Sequence, residues 1–323
     1  MTGDYLALTA YFGERKRVGG KLVADALLDL YAGEAIATSS LMRGVEGFGL
    51  RHHLRTDSLL TLSEDLPAVA VAVDRRERVE ALVGRVAGLV GGGLVTVNSA
   101  DHQLHASDAV RLTVYLRRQE SIAARPAHIA VCALLNERGV AGATVLLGVD
   151  GTLGGRRQRA RFFARNTDVP VAVIAVGSAQ TVADAVSELE SLLAAPLMTT
   201  EHVELCKRDG TAVAGLAEPA QGWCKLTVYT SEAQLFRGRP IHREITRRLR
   251  GSGARGVTTL RGIWGFHAPH PPHGERLSQL GRHVPIVTTV IDTADRIAAA
   301  YDIVDELTAE HGLVTSQAVQ VVN

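Results

Sequence analysis

Leu260-Arg261-Gly262-Ile263-Trp264-Gly265-Phe266 repeats an earlier stretch of this chain, Met42-Arg43-Gly44-Val45-Glu46-Gly47-Phe48. A third copy, Leu146-Leu147-Gly148-Val149-Asp150-Gly151, keeps both glycines at the same separation and lacks the arginine and the aromatic. Upstream, Leu8-Thr9-Ala10-Tyr11, Leu112-Thr113-Val114-Tyr115 and Leu226-Thr227-Val228-Tyr229 align, and each tyrosine lies 33 positions before the first motif glycine. Downstream, Pro67, Pro170 and Pro285 follow that glycine after 23, 22 and 23 positions. Leu94-Val95-Thr96, Leu197-Met198-Thr199 and Leu313-Val314-Thr315 close the copies. Anchors held at matching offsets three times mean one module written three times.

Each module opens with an alternating segment rich in β-branched and aromatic residues, which suits a half-buried strand. A helical period follows, with Val23, Ala26, Leu27 and Leu30 on one face in module one and Ala127, Val131 and Leu134 in module two. Gly139 and Gly253 read as helix stops before a second strand that runs into the glycine motif. Third strands start at the three prolines, where no ladder donor is required. Second helices present Val79, Leu82, Val83 and Val86; Val182, Val186, Leu189 and Leu193; and Ile297, Tyr301, Val304 and Leu307. The order strand, helix, strand, strand, helix, strand predicts an α+β chain of three tandem ferredoxin-like (βαββαβ) modules. The boundaries expected are 1–106, 107–208 and 223–323, with 209–222 a Gly/Ala-rich linker, more mobile than the joint at 100–108.

The chain has 323 residues, 46% of them apolar and 21% charged, with a formal charge of +1, so a preference for anions must come from local clustering. Its longest apolar runs, 66–73 and 169–176, fall far short of the roughly 20 residues needed to cross a bilayer. No secretory signal is visible, and the cytoplasm is the default location. Cys132, Cys206 and Cys224 are odd in number and share no CxxC spacing, so they read as reduced packing residues.

The Arg43–Gly49 run, the G-x-x-G-x-T-x-L-x-G run over Gly139–Gly148, its relative over Gly253–Gly262, and the closing L-V-T strand resemble the PII-like domain-of-unknown-function family 190, once per module. The resemblance implies kinship with PII signalling proteins and CutA, which are trimers of ferredoxin-like subunits. It also implies adenine-nucleotide clefts between subunits and a long loop that contacts a target protein. Three copies in one chain then imply a monomer that is an intramolecular pseudo-trimer, satisfying by itself the sheet faces and edges that need burial.

The segment between glycine motif and proline is the long irregular one in every module, and it is basic. Module one has Arg51, His52, His53 and Arg55; module two has Arg156, Arg157, Arg159, Arg161 and Arg165; module three has His267, His270, His273, Arg276, Arg282 and His283. Arginine forks and close-approaching glycine backbone suit phosphate. A second recurring cation, Lys21, Arg125 or Arg239, lies ten positions after each tyrosine, ahead of the first helix. The anion-binding candidates are therefore Lys21, Arg43, Gly44, Gly47, Phe48, Gly49, Arg51, His53, Arg55, Arg125, Gly148, Gly151, Arg156, Arg157, Arg239, Arg261, Gly262, Gly265 and Phe266. The aromatics Phe48, Trp264 and Phe266 either stack on a base or pack the loop root, packing being favoured in a chain with 4% aromatics.

His267, His270 and His273 recur every third residue between prolines. A polyproline II segment would set successive histidines about 9 Å apart, whereas zinc holds its ligands at about 2 Å. They are thus weak metal candidates. No Walker A, GxGxxG, GxSxG, HExxH or paired CxxC spacing is present, which argues against an enzyme. Near-zero net charge and few aromatics argue against nucleic acid. The expectation is a PII-like regulatory protein that binds a small anion, an adenine nucleotide or cyclic dinucleotide, in inter-module clefts. It would act on a partner protein, a membrane transporter or channel among the candidates, with the clefts built on Arg43 and Arg261 occupied before the one on Leu147. The alternatives are an interaction module without a small ligand and a CutA-like metal binder.

Overall fold

A computed structural model describes residues 4–50, 52–57, 65–100, 105, 108–159, 169–194, 196–218, 222–267, 273–274 and 284–322. Module one contains strands Tyr5–Gly13, Thr38–Arg43, Pro67–Arg75 and Leu94–Ser99, with helices α1 (Val23–Gly33) and α2 (Arg76–Val90). Module two repeats this with strands Ala109–Arg117, Gly142–Leu147, Pro170–Ser178 and Leu197–Arg208 and helices α3 (Ala127–Glu137) and α4 (Ala179–Leu192). Module three has strands Trp223–Ser231, Val257–Arg261, Pro285–Thr293 and Leu313–Ala318 and helices α5 (Ile241–Gly251) and α6 (Ala294–Leu307). In each module the four strands pair antiparallel in the order second, third, first, fourth.

All three third strands begin at their prolines. Apolar faces at helical spacing drive the helices onto the sheets: α2 buries Val79, Leu82, Val86 and Val90, and α6 buries Ile297, Ala300, Val304 and Leu307. The stripe of α1 is rotated from the expected one. It buries Val23, Leu27, Leu28 and Tyr31, while Ala26 and Leu30 are only half-buried. Among the described residues each module has its own apolar core, and two further clusters bridge the modules, one around Met42, Leu146 and Leu260 and one around Ala7, Tyr115 and Ala172.

The glycine motif is where the chain leaves one module's sheet for another's. Gly44, Gly148 and Gly262 each donate N–H to their own module's proline carbonyl, at 2.7, 2.8 and 2.7 Å. The next residues, Val45, Val149 and Ile263, donate instead across the seam, to Thr259, Leu41 and Val145. Short strands then join the neighbour: Glu46–Phe48 pairs with Val257–Arg261, Asp150–Leu153 with Thr38–Arg43, and Trp264–His267 with Gly142–Leu147. Module one thus lends a strand to three, three to two, and two to one, closing a ring.

The second motif glycine explains why that exchange requires this residue. A Cβ on Gly47 would lie 2.3 Å from the Val257 carbonyl oxygen, on Gly151 2.1 Å from that of Ser39, and on Gly265 2.3 Å from that of Ala143. No real side chain tolerates these distances, so the residue is glycine for backbone approach. The following aromatic drives the same seam: Phe48 is buried in module three's core and Phe266 in module two's. In module two, Thr152 stands at that position and is held by hydrogen bonds to Ile36 O and Ser39 Oγ, at 3.2 and 2.9 Å.

Terminal strands reinforce the ring. Leu197–Arg208 pairs first with Ala109–Arg117 and then with Leu313–Ala318, and the short strand Gln320–Val322 pairs with Leu94–Ser99. The described part of the 209–222 segment is not the loose linker expected. Asp209 and Gly210, both at positive φ, turn the chain so that Thr211–Ala212 pairs back on Lys207–Arg208, and Leu216 and Ala217 pack against module three's core. Apolar side chains within it outweigh its Gly/Ala composition.

Candidate functional site

A cleft of about 790 Å³ opens between modules one and three. Module one contributes Tyr11 to Gly13 at the end of its first strand, then Arg15 and Lys16, Phe48 to Leu50 beyond the exchanged strand, His53, Arg55, and the Gly92-Gly93 turn before its last strand. Module three contributes Trp223, Arg255 to Thr258, Thr289 and Ile291. The exchange that pairs Glu46–Phe48 with Val257–Arg261 is what brings these two groups together.

The cleft has two chemical faces. Phe12, Phe48, Leu50, Trp223, Val257 and Ile291 make one apolar, with the Trp223 ring under the Arg255 guanidinium at 5.2 Å. Arg15, Lys16, Arg55 and Arg255 make the other cationic, with Asp65 the carboxylate among its lining residues. Asp65 is already engaged: its Oδ1 accepts from Arg15 N at 2.6 Å and its Oδ2 meets Arg55 Nη2 at 3.1 Å. Arg255 is positioned by Asp292, whose Oδ2 accepts its backbone N–H at 3.0 Å and whose Oδ1 lies 3.5 Å from Nε. Gly91, at φ +56, and Gly92 bring bare backbone beside Lys16 Nζ, which is 3.8 Å from a Cβ position on Gly91. Glycine amides beside a lysine and arginine forks form a surface suited to phosphate oxygens.

Of the residues singled out from sequence, Phe48, Gly49, His53 and Arg55 line this cleft. The motif arginines do not. Arg43 pairs with Glu14 at 2.5 Å, and Arg261 with Glu232 at 2.6 Å and Asp57 at 3.3 Å. Glu14 and Glu232 lie at matching positions three residues after the tyrosines, where module two has Arg118, opposite Leu147 in place of the arginine. The arginine and its carboxylate are therefore kept or lost together, as an ion pair that ties the motif to the first strand. Gly44, Gly47, Gly148, Gly151, Gly262 and Gly265 serve the seams, and Phe266 is buried in module two's core, out of reach of a dissolved ligand.

The remaining candidates lie elsewhere. Arg157 sits at the seam of modules two and one, bound by Asp150 at 2.6 Å, Asp25 at 3.2 Å and also Asp29, which Lys21 joins. Arg156 is exposed in the hairpin beside it, and Arg125 and Arg239 are exposed ahead of their helices. Arg51 and His270 fall outside the described residues, as do Arg161, Arg165, Arg276, Arg282 and His283. His267 and His273 lie in the two strands of a hairpin, not along a polyproline II edge. Among the described residues no group of three or more His, Cys, Asp or Glu is placed to hold a metal ion.

Lys16, Gly91 to Gly93, Trp223 and Arg255 escaped the sequence reading. Repeat comparison could have found them, because each differs from its counterparts in the other modules, apart from Gly93, which module three matches with Gly312. The pairing of Trp223 with module one's loop depends on the strand exchange and has no sequence signal. The seam beneath the cleft also carries perturbed groups: burial raises the Glu46 carboxyl to about 7, and burial lowers the His242 imidazole to about 4.

Among the described residues no helix is long and apolar enough to cross a membrane. A UPF0166 protein of Aquifex aeolicus (strain VF5) is 30% identical over 98 residues, which are 30% of this chain and 90% of that protein. Solved structures with similarity include a putative glycine cleavage system transcriptional repressor, at 10% identity and TM-score 0.20 over 62% of this chain and 98% of that one. An unknown protein from Galdieria sulphuraria matches at 13% identity with the same score and coverage. Superpositions at that score carry no argument about fold or function. The DUF190 family model, described as "Uncharacterized ACR", matches residues 5–102, 109–205 and 223–321, and the chain belongs to that family, in three tandem copies.

Proposed function

We propose that this chain is a PII-like regulatory protein, an intramolecular pseudo-trimer of ferredoxin-like modules, and that its module-one/module-three cleft binds an adenine nucleotide or a cyclic dinucleotide. The observation that carries the reading is that cleft: about 790 Å³, with an aromatic and aliphatic wall facing four cationic side chains and a glycine turn. Such a volume suits a nucleotide-sized ligand. A flat base fits against Trp223, Phe48 and Ile291, while phosphates fit the side lined by Arg15, Lys16, Arg55, Arg255 and the Gly92-Gly93 backbone. The single-module length of the Aquifex relative supports the idea that this chain does alone what separate subunits would do together.

The ligand would report to a partner protein through the loop that leaves the cleft at Leu50 to Arg55, because bound phosphate and that loop share Arg55 and His53. A membrane transporter or channel is the partner class the family resemblance implies. Calorimetric titration with ATP, ADP, AMP and cyclic dinucleotides tests the reading, together with Trp223 fluorescence in a Trp264→Phe background. The expected result is one site per chain, with quenching of Trp223. Absence of heat and quenching at millimolar nucleotide would rule it out. Light scattering should show a monomer, and a stable homotrimer would defeat the pseudo-trimer.

A further inference from the structure

The first strands of all three modules converge on a second, smaller cavity of about 100 Å³. Strand alternation aims every second residue at it: Ala7, Thr9 and Tyr11 from module one, Arg111, Thr113 and Tyr115 from module two, and Lys225, Thr227 and Tyr229 from module three. The closing strands add Asn98 and Glu201, with Gln317 alongside, at matching repeat positions. Charge at this convergence is not balanced. Arg111 meets Glu201 at 2.5 Å, and Gln317 Nε2 donates to the other Glu201 oxygen at 3.1 Å, so that carboxylate is satisfied. Module one contributes neutral Ala7 and Asn98. Module three contributes Lys225, and the counterpart of Glu201 there is neutral Gln317.

Lys225, 7% exposed, lines the cavity beside the Arg111–Glu201 pair, and burial and Arg111 lower its ammonium to about 7 against the pull of Glu201. Two cationic side chains share the one carboxylate of Glu201, and a buried ammonium without a counter-ion of its own is costly unless a further anion joins it. A ring of Tyr and Thr hydroxyls around it supplies further donors. The volume decides the size of any occupant: at about 30 Å³ per water it holds roughly three water-sized groups. A nucleotide does not fit, and a bare ion with one or two waters does.

We propose that the central cavity binds one small monovalent inorganic anion, of halide size, between Lys225 and Arg111. The site is distinct from the cleft and does not depend on the nucleotide reading. It would make the ring's hub an anion-dependent element, since all three modules line it.

The test uses the full chain with sodium bromide replacing sodium gluconate at constant ionic strength. The expected result is a saturable rise of a few degrees in Tm that is absent in Lys225→Met and retained in Lys16→Ala. Crystals grown in bromide should show an anomalous peak beside Lys225. A non-saturable response, an equal response in Lys225→Met, or loss in Lys16→Ala instead would overturn the proposal. If Lys225→Met does not fold, the diffraction experiment on the natural chain decides: a bromide peak in the cavity supports the site, and peaks elsewhere only, or none, refute it.

Discussion

The cleft between modules one and three and the two seams related to it by the repeat share one backbone plan and carry different chemistry. Five residues after the motif tyrosine stand Lys16, Glu120 and Gln234; ahead of the second strand stand Ala37, Ala141 and Arg255. At the Trp223 position modules one and two have Tyr5 and Ala109, and the Gly91-Gly92-Gly93 turn becomes Ala194-Ala195-Pro196 and Glu310-His311-Gly312. Following the exchange, the cleft of module one's loop on module three combines Lys16, the glycine turn, Trp223 and Arg255. That of module two's loop on module one combines Glu120 with Ala37, and that of module three's loop on module two combines Gln234 with Ala141. Repetition has kept what closes the ring and varied what lines the clefts. The sequence expectation sets the clefts built on Arg43 and Arg261 ahead of the one on Leu147, whereas the lining residues set the module-one/module-three cleft apart from both others, at Lys16, Trp223 and Arg255.

The largest effect should come from breaking the seam itself. Gly47→Ala and Gly151→Ala each push a Cβ into a neighbouring carbonyl and should cost about 3 kcal/mol, at the upper end of overpacking penalties, in urea unfolding. Only Gly47→Ala should also abolish nucleotide binding, because its seam underlies the cleft proposed to bind the nucleotide. Equal loss of binding in both variants would show that the clefts are not specialised.

Next, the double change Lys16→Glu with Arg255→Ala gives the first cleft the charges of the second. Hydrogen bonds to charged groups contribute about 1.5–3 kcal/mol each, so titration should show roughly 100-fold weaker nucleotide binding or more. Unchanged affinity would move the ligand elsewhere.

A smaller effect is expected from pH. Glu46 lies in the exchanged strand beneath the cleft, and burial, then repulsion from Asp57, raises its carboxyl to about 7 against the pull of Arg243. A folded value above the unfolded one means the protonated form is favoured by folding. Its contribution is complete below the ordinary glutamate range and is lost as pH rises through about 7. Unfolding measured from pH 4 to 8 should lose this contribution in the natural chain, and Glu46→Gln should retain it.

The smallest effect belongs to Arg43→Ala. Its pair with Glu14 is half-exposed on the arginine side, so stability should fall by less than about 1 kcal/mol and nucleotide affinity should not change. A large loss of affinity would restore the motif arginine as a ligand contact.

Much of the fold was legible in the chain itself. Tyr11, Gly44, Pro67 and the Leu94-Val95-Thr96 strand recur at nearly constant offsets, because each occupies a backbone position that every module must rebuild. Apolar spacing located the helices, and the prolines marked where third strands begin. Less of the site was legible. Gly44, Gly47, Arg43 and Phe266 stood out because they repeat, and repetition selected for assembly: close backbone approach, an ion pair and a core knob. Lys16, Trp223 and Arg255 stand out only as departures from the repeat, and Trp223 and Lys16 are more than 200 positions apart in the chain.

Sequence alone determined the module, its threefold repetition and the order of its elements, since these follow from local periodicity and from residues with no conformational substitute. The tertiary structure decided which module lends its strand to which, and therefore which side chains share a cleft. It also decided that Arg111, Glu201 and Lys225 meet at the centre. Both outcomes rest on backbone hydrogen bonding and burial between segments far apart in the chain, where the free energy comes from the closed ring and no single stretch carries the signal.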